Sequence, residues 1–388
     1  MIPNMPFAAI HVDQHTLLIL VVTVIVIALI FDFLNGFHDA ANAIATIVIT
    51  RTLTPGQAVI MAGAAEFLGY FMGGAAVARM ISSGIVNIDK LAEPDAKLIM
   101  VLAALLGAVT WNVLTWLWGL PSSSSHALIG GLIGSMLAAV GYNGLALSDS
   151  MVFFDKSCLQ FTLHLPWMLP AKLILICAFI FIAPLLGMFF AAVVTLGVIW
   201  IFRKTRPATA GAIFKKLQLI SAAWYCTGHG RNDAQKTMGV IALAMLAGGL
   251  TTAKVTKDNP VPLENWVVLA CYVAIALGTM FGGWRIVKTM GTKITKIRPM
   301  EGFCAETSAG LVLMGTAHFG MPCSTTHVIS GAIMGVGAVE QASKVRWNTA
   351  RTIIWAWILT IPLTAVYTAI VYWVINAIYV AIRTPAAG

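Results

Sequence analysis

Hydrophobic residues run in long blocks along this chain, at roughly 17–50, 56–81, 97–120, 125–140, 173–202, 217–250, 266–287, 302–319, 324–339 and 349–382. A helix that crosses a bilayer needs about 20 apolar residues. The first, sixth and last blocks exceed that. Blocks of this length predict α-helices, because a membrane β-barrel would alternate over segments of about ten residues. Polar residues interrupt the blocks at few places. One is Asn35-Gly36-Phe37-His38-Asp39-Ala40-Ala41-Asn42, downstream of the nearly unbroken apolar run 17–30. A carboxylate in hydrocarbon is costly, so Asp39 is a functional candidate by its position alone. Gly36 offers a place where the helix can open.

Two pairs of blocks meet at short polar tips. The 97–120 and 125–140 blocks join at Pro121-Ser122-Ser123-Ser124-Ser125, and the 302–319 and 324–339 blocks at Gly320-Met321-Pro322-Cys323-Ser324. The second block of each pair is short, which predicts a hairpin that enters and leaves the membrane on one side. Loop charges agree with that arrangement. Arg203, Lys204, Arg206, Lys215 and Lys216 fall in 203–216, Lys288, Lys293, Lys296 and Arg298 in 288–298, and Lys344, Arg346 and Arg351 in 340–351. The positive-inside rule makes these loops cytoplasmic. In 82–97 and 141–172, Asp89, Glu93, Asp95, Asp149 and Asp155 balance the basic residues, so these regions read as external.

Composition strengthens the membrane reading. The chain has 388 residues, 59% hydrophobic and 10% charged, with a mean hydropathy of +0.88. Soluble domains carry about 25% charged residues. The expectation is an all-α polytopic membrane protein with about 10–12 membrane segments. The net charge of +9 is explained by cytoplasmic loops, so no nucleic-acid partner is expected. Residues 1–14 contain no Lys or Arg and lack the basic start of a cleavable signal peptide. Cys158, Cys177, Cys226, Cys271, Cys304 and Cys323 have no metal-binding spacing and read as packing residues.

The chain also repeats itself. Gly36-Phe37-His38-Asp39-Ala40 matches Gly230-Arg231-Asn232-Asp233-Ala234. Gly69-Tyr70-Phe71-Met72-Gly73-Gly74 matches Gly278-Thr279-Met280-Phe281-Gly282-Gly283. Gly119 through His126 matches Gly320 through His327. Order and spacing are kept, while the loop charges give the halves opposite topology. Two inverted-topology repeats with discontinuous helices or re-entrant hairpins are expected, as in secondary transporters. The division is 1–202 for the N-terminal repeat, 203–216 for a basic cytoplasmic connecting loop, 217–348 for the inverted repeat, and 349–388 for a final helix and tail.

The motifs suggest complementary chemistry. Pro121 and Pro322 end helices. Ser122, Ser123, Ser124 and Ser125, with Ser324, Thr325 and Thr326, then offer caps, hydroxyls and free N–H groups at helix starts, which suits an anion. Read as structure alone, they cap re-entrant turns. Asp39 and Asp233, with Asn42 and Asn232, offer hard oxygen ligands for Na⁺ or a divalent ion. Read as structure alone, the two acids cap broken helices. Carboxylates beside an anion need a proton or a cation. Lys236 stands where the first half has Asn42, and can pair with Asp233 or approach an anion. Arg231 stands where it has Phe37. His38, His126, His229 and His327 allow proton coupling. Glu66 and Glu306 are further intramembrane acids, aligned with Ile275 and Leu105 respectively, and Asp32 falls close to the same layer. Gly130-Gly131-Leu132-Ile133-Gly134 has no βαβ context and reads as a helix-packing stripe.

With these motifs in hand, the chain resembles the inorganic phosphate transporter (PiT) family. Asn35 through Ala43 and Gly228 through Lys236 look like its duplicated G-A-N-D-type signature, and the two Pro-to-His tips look like its P-x-S-[ST]-[ST]-H motif. The resemblance covers the whole membrane region. It implies a symporter of inorganic phosphate, taken as the free anion or a metal–phosphate complex, with phosphate and cation ligands at the motif positions. It also implies a homodimer in the inner (plasma) membrane of a bacterium, surrounded by lipid, with no cofactor beyond the coupling ion. His38 replaces the family's Asn, and Lys236 replaces the Asn of sodium-coupled members. Both departures look like the bacterial low-affinity branch and favour H⁺ over Na⁺, with a fixed ammonium standing in for Na⁺. The long central hydrophilic domain of many relatives is absent. Alternatives are a sulfate permease on the same scaffold, a channel, and an intramembrane serine hydrolase using Ser122 or Ser125 with His126. No GxSxG-like elbow supports the last.

Overall fold

Long apolar runs become helices because every backbone N–H and C=O must find a partner where water is absent, and two of them continue through an internal proline, Pro184 and Pro362. The computed structural model describes residues 13–145, 148–153, 161–169, 171–251, 263–287 and 297–383. Its helices are α1 (Gln14–Ile49), α2 (Pro55–Leu68), α3 (Ala76–Gly84), α4 (Pro94–Trp118), α5 (Ser124–Val140), α6 (Ala171–Phe202), α7 (Pro207–Ala247), α8 (Asn265–Phe281), α9 (Pro299–His318), α10 (Thr325–Gln341) and α11 (Trp347–Arg383). Among the described residues, β1 (Ser148–Phe153) and β2 (Phe161–Leu169) depart from all-α and form an antiparallel hairpin. Alternating Phe161-Thr162-Leu163-His164 suits a strand better than a membrane helix. The residues 1–12, Asp155, Cys158, Lys288, Lys293, Lys296 and the tail 384–388 lie outside the described residues.

The breaks in the helices have local causes. Asp13 caps α1 by accepting from the Thr16 N–H, and Thr54 and Gln57 form a capping box before Pro55. Gly119 and Gly320 adopt left-handed backbone, at φ 64° and 71°, and turn the chain into the two tips. Beyond each tip a serine caps the next helix, Ser123 on the His126 N–H and Ser324 on the His327 N–H. Helices α2 and α3 meet at an 88° bend, through a 3₁₀ turn and the left-handed Gly73 and Gly74.

Several expectations are corrected. Helix α1 runs unbroken through Gly36. The glycine serves close approach instead: a side chain there would strike the Ile275 carbonyl, and one at Gly230 would strike the Glu66 carbonyl. The connecting loop shrinks to 203–206, because Pro207 starts α7 and places Lys215 and Lys216 on its exposed face. Four described helices are long and apolar enough to cross a membrane alone, or five with the bent pair. Ser124–Val140 and Asn265–Phe281 are shorter apolar helices, and α7 carries buried polar residues.

The two hairpins keep both ends on one side. Asn87 N–H donates to the Gly144 carbonyl at 2.8 Å, joining the segments that flank α4 and α5. Arg298 and Lys344 both hold Glu340, at 2.9 and 2.7 Å, across the open end of α9 and α10. Packing does not follow chain order. Helix α6 lies along α10, and α11 lies along α5. Side chains at Gly331 and Gly335 would strike the Pro184 and Met188 carbonyls of α6, while Gly130 and Gly134 meet Ile361 and Ala365 of α11 in the same manner. Replacing Gly331 or Gly130 by Leu should lower the unfolding midpoint of detergent-purified protein, since overpacking costs roughly 1–3 kcal/mol. Gly211→Ala, with open space around it, is the control. Equal midpoints for all three would contradict these contacts.

Candidate functional site

Helices α1 and α7 pack together and bring their polar stretches into one buried centre. Asp39 comes from α1, and His229, Asp233 and Lys236 come from one face of α7. Their spacing of three and four residues puts the last three side by side. The Lys236 ammonium donates to Asp233 Oδ1 at 2.5 Å, Ser125 Oγ at 2.5 Å and the Cys323 carbonyl at 3.0 Å. Asn35 donates to the other oxygen of Asp233 at 3.2 Å. His229 Nε2 lies 3.7 Å from Asp39 and 3.6 Å from Asp233, while its Nδ1 lies 2.7 Å from Glu66. Ligand atoms of Asp39, His229 and Asp233 all fall within 4.8 Å of one another, close enough to share one cation.

The tips close over this centre. Thr325 donates to Asp39 at 3.1 Å, and Asn42 donates to Thr326 at 2.8 Å. His38 bridges Asp39 at 2.9 Å and Thr115 at 3.2 Å, and Ser122 donates to the same Thr115 at 2.9 Å. Several buried atoms around the centre have no protein partner: the Ser124 hydroxyl, Asn42 Oδ1, and both amide atoms of Asn232. Buried polar atoms are almost always satisfied, so such atoms point to a ligand, ion or water. Hydroxyls and helix starts on one side therefore face carboxylates and an ammonium on the other.

Not every expected residue joins the centre. His126 and His327 pack on each other, with ring centres 4.7 Å apart, and His327 stacks on Trp357. Neither ring is bonded to a carboxylate among the described contacts. Glu306 has its own shell, accepting from Thr46 and Ser221 at 2.5 Å and Gln218 at 3.1 Å. Asp32 accepts from Thr237 at 2.9 Å. Sequence reasoning missed Thr115, Thr46, Gln218 and Ser221 as partners. Thr46 was detectable, since it lies one turn beyond Asn42 on α1. Thr115 was not, since its contact depends on how α4 crosses α1. The hydrolase arrangement is not present: Ser122 bonds Thr115, Ser125 bonds Lys236, and the His126 Nδ1 has no partner.

Comparison with known proteins shows the family. The phosphate transporter family matches residues 35–368. A probable low-affinity inorganic phosphate transporter of Rhizobium meliloti is 44% identical over 91% of this chain and 96% of its own length. A protein of the same description from Bacillus subtilis is 39% identical over 94% of this chain and 99% of its own. A solved structure described as the sodium-dependent phosphate transporter superposes with a TM-score of 0.77 at 25% identity, covering 93% of this chain and all of that one. The family and these relatives are transporters, not enzymes. With its apolar helices and nearly all-helical fold, this multi-pass membrane protein belongs to the phosphate transporter family.

Proposed function

We propose that this chain imports inorganic phosphate by secondary active symport with a cation, with H⁺ preferred over Na⁺. The observation that carries the reading is the direct contact of both hydroxyl-rich tips with the acidic centre, Ser125 through Lys236 and Thr325 through Asp39. Phosphate binds among Ser122, Ser123, Ser124, Ser125, Ser324, Thr325 and Thr326, with Asn42 and Asn232 beside it. Charge then requires a companion cation. Asp39, Asp233 and Glu66 are buried together, and the Lys236 ammonium pairs with Asp233, while a phosphate adds negative charge. His229 bonds Glu66 at 2.7 Å and lies within 3.7 Å of Asp39 and Asp233, so it can hold the proton that balances them. Two repeats of opposite topology would then exchange access between the two sides, in a homodimer in the bacterial inner membrane. A divalent ion carried with phosphate would use Asp39 and Asp233, with His229.

Phosphate is favoured over sulfate because a protonated phosphate oxygen can donate to Asp39 or Asp233, whereas sulfate has no proton to give near neutral pH. In proteoliposomes, an imposed inward H⁺ gradient should drive labelled phosphate uptake more strongly than an equal Na⁺ gradient. Accumulation with either gradient excludes a channel. Sulfate should compete poorly at every pH, and equal competition would favour the permease reading. Asp39→Asn and Asp233→Asn should each cut uptake at least about tenfold, since an amide can neither take a proton nor balance a cation as a carboxylate does. Both proteins should still elute as folded species on size exclusion. Normal uptake by both variants would dismantle the site.

A further inference from the structure

An ammonium has three N–H donors and no acceptor. In this structure all three donors of Lys236 are used, on a carboxylate, a hydroxyl and a backbone carbonyl, and the side chain is 1% exposed. A phosphate oxygen can reach Nζ only by displacing one of these partners. The shell around Nζ is instead the kind that binds a hard metal cation: oxygen atoms only, one of them fully charged, converging on a point from three separate segments. Asp233 Oδ1 comes from α7, Ser125 Oγ from the first turn of α5, and the Cys323 carbonyl from the other tip.

We infer that Lys236 is a tethered cation filling a monovalent-cation site made by Asp233 Oδ1, Ser125 Oγ and the Cys323 carbonyl, and that Na⁺ enters this site when the ammonium is removed. The corresponding residue of the first half supports the assignment. Asn42 brings no charge, donates to Thr326, and leaves its own Oδ1 without a protein partner. One half of the centre thus carries a built-in cation, and the other half does not. Because Lys236 stays with the protein through every cycle, its charge is not carried across with substrate. A chain with this site open would need one more cation from solution to reach the same charge balance.

The inference rests on the transport reading only for its uptake readout; sodium binding tests it separately. The experiment compares the native chain with Lys236→Asn, Lys236→Ala and Lys236→Arg, in sodium medium and in choline medium of equal ionic strength. Native uptake should differ less than about twofold between the media. Lys236→Asn and Lys236→Ala should lose at least about tenfold in choline and recover most of it in sodium. Lys236→Arg should be impaired in both media, because a planar guanidinium cannot satisfy a compact three-oxygen shell. In detergent, sodium should raise the unfolding midpoint of the Asn and Ala proteins and not that of the native chain. Variants with no sodium response in uptake or midpoint would overturn the inference, as would a native chain stabilised by sodium as much as they are. If native proteoliposomes take up no phosphate, the transport reading fails while the midpoint shifts still decide the cation site. If neither variant can be purified, a sodium-stabilised native chain still overturns the inference.

Discussion

Asp39, Asp233 and Glu66 are buried together inside an apolar helical bundle, and everything else at the centre follows from keeping them there. An isolated carboxylate in such surroundings would give up its charge or draw water in. The chain supplies instead an ammonium at Asp233, an imidazole that reaches all three acids, and amide and hydroxyl donors from Asn35 and Thr325. A buried network of this kind holds its geometry only if every member is in place. It also stops short of complete satisfaction, since Asn42, Asn232 and Ser124 keep unpartnered atoms beside it.

The small residues make that network reachable. Gly36 admits the Ile275 carbonyl and Gly230 admits the Glu66 carbonyl. Gly278 admits Phe33 of α1, and Gly69 sits against Thr227 and Arg231 of α7. These contacts run both ways, from α1 and α2 to α7 and α8 and back. The close crossing carries Glu66 to within 2.7 Å of His229. A larger residue at Gly230 would push Glu66 away from the imidazole it serves.

Much of this was legible in the sequence. The acids in apolar blocks, the serine tips and their second copies stood out because hydrocarbon tolerates so few polar residues. The paired motifs also predicted which segments meet, and Asp39 and Asp233 do share one centre through His229. What the sequence hid were contacts set by helix crossing. Thr115 joins His38 to Ser122 only because α4 passes beside α1. The histidines that end the two tips look alike in sequence to His38 and His229, yet they stack on each other and on Trp357. Gly36 was read as a hinge because glycine permits many backbones. Whether it bends or lets a neighbour in depends on what lies across from it.

The packing of α6 and α11 has a consequence for how this molecule can be divided. Helix α6 precedes the connection at 203–206 and lies along the second hairpin, while α11 ends the described chain and lies along the first, seated on glycines at Gly331 and Gly335 or at Gly130 and Gly134. The halves are thus interlocked like two hands with crossed thumbs. Cutting the chain between Arg203 and Arg206 would leave two fragments, each missing the helix that braces its hairpin and each exposing a helix meant for the other. They could become a transporter only by meeting, and neither tip would be held at its proper depth until they did.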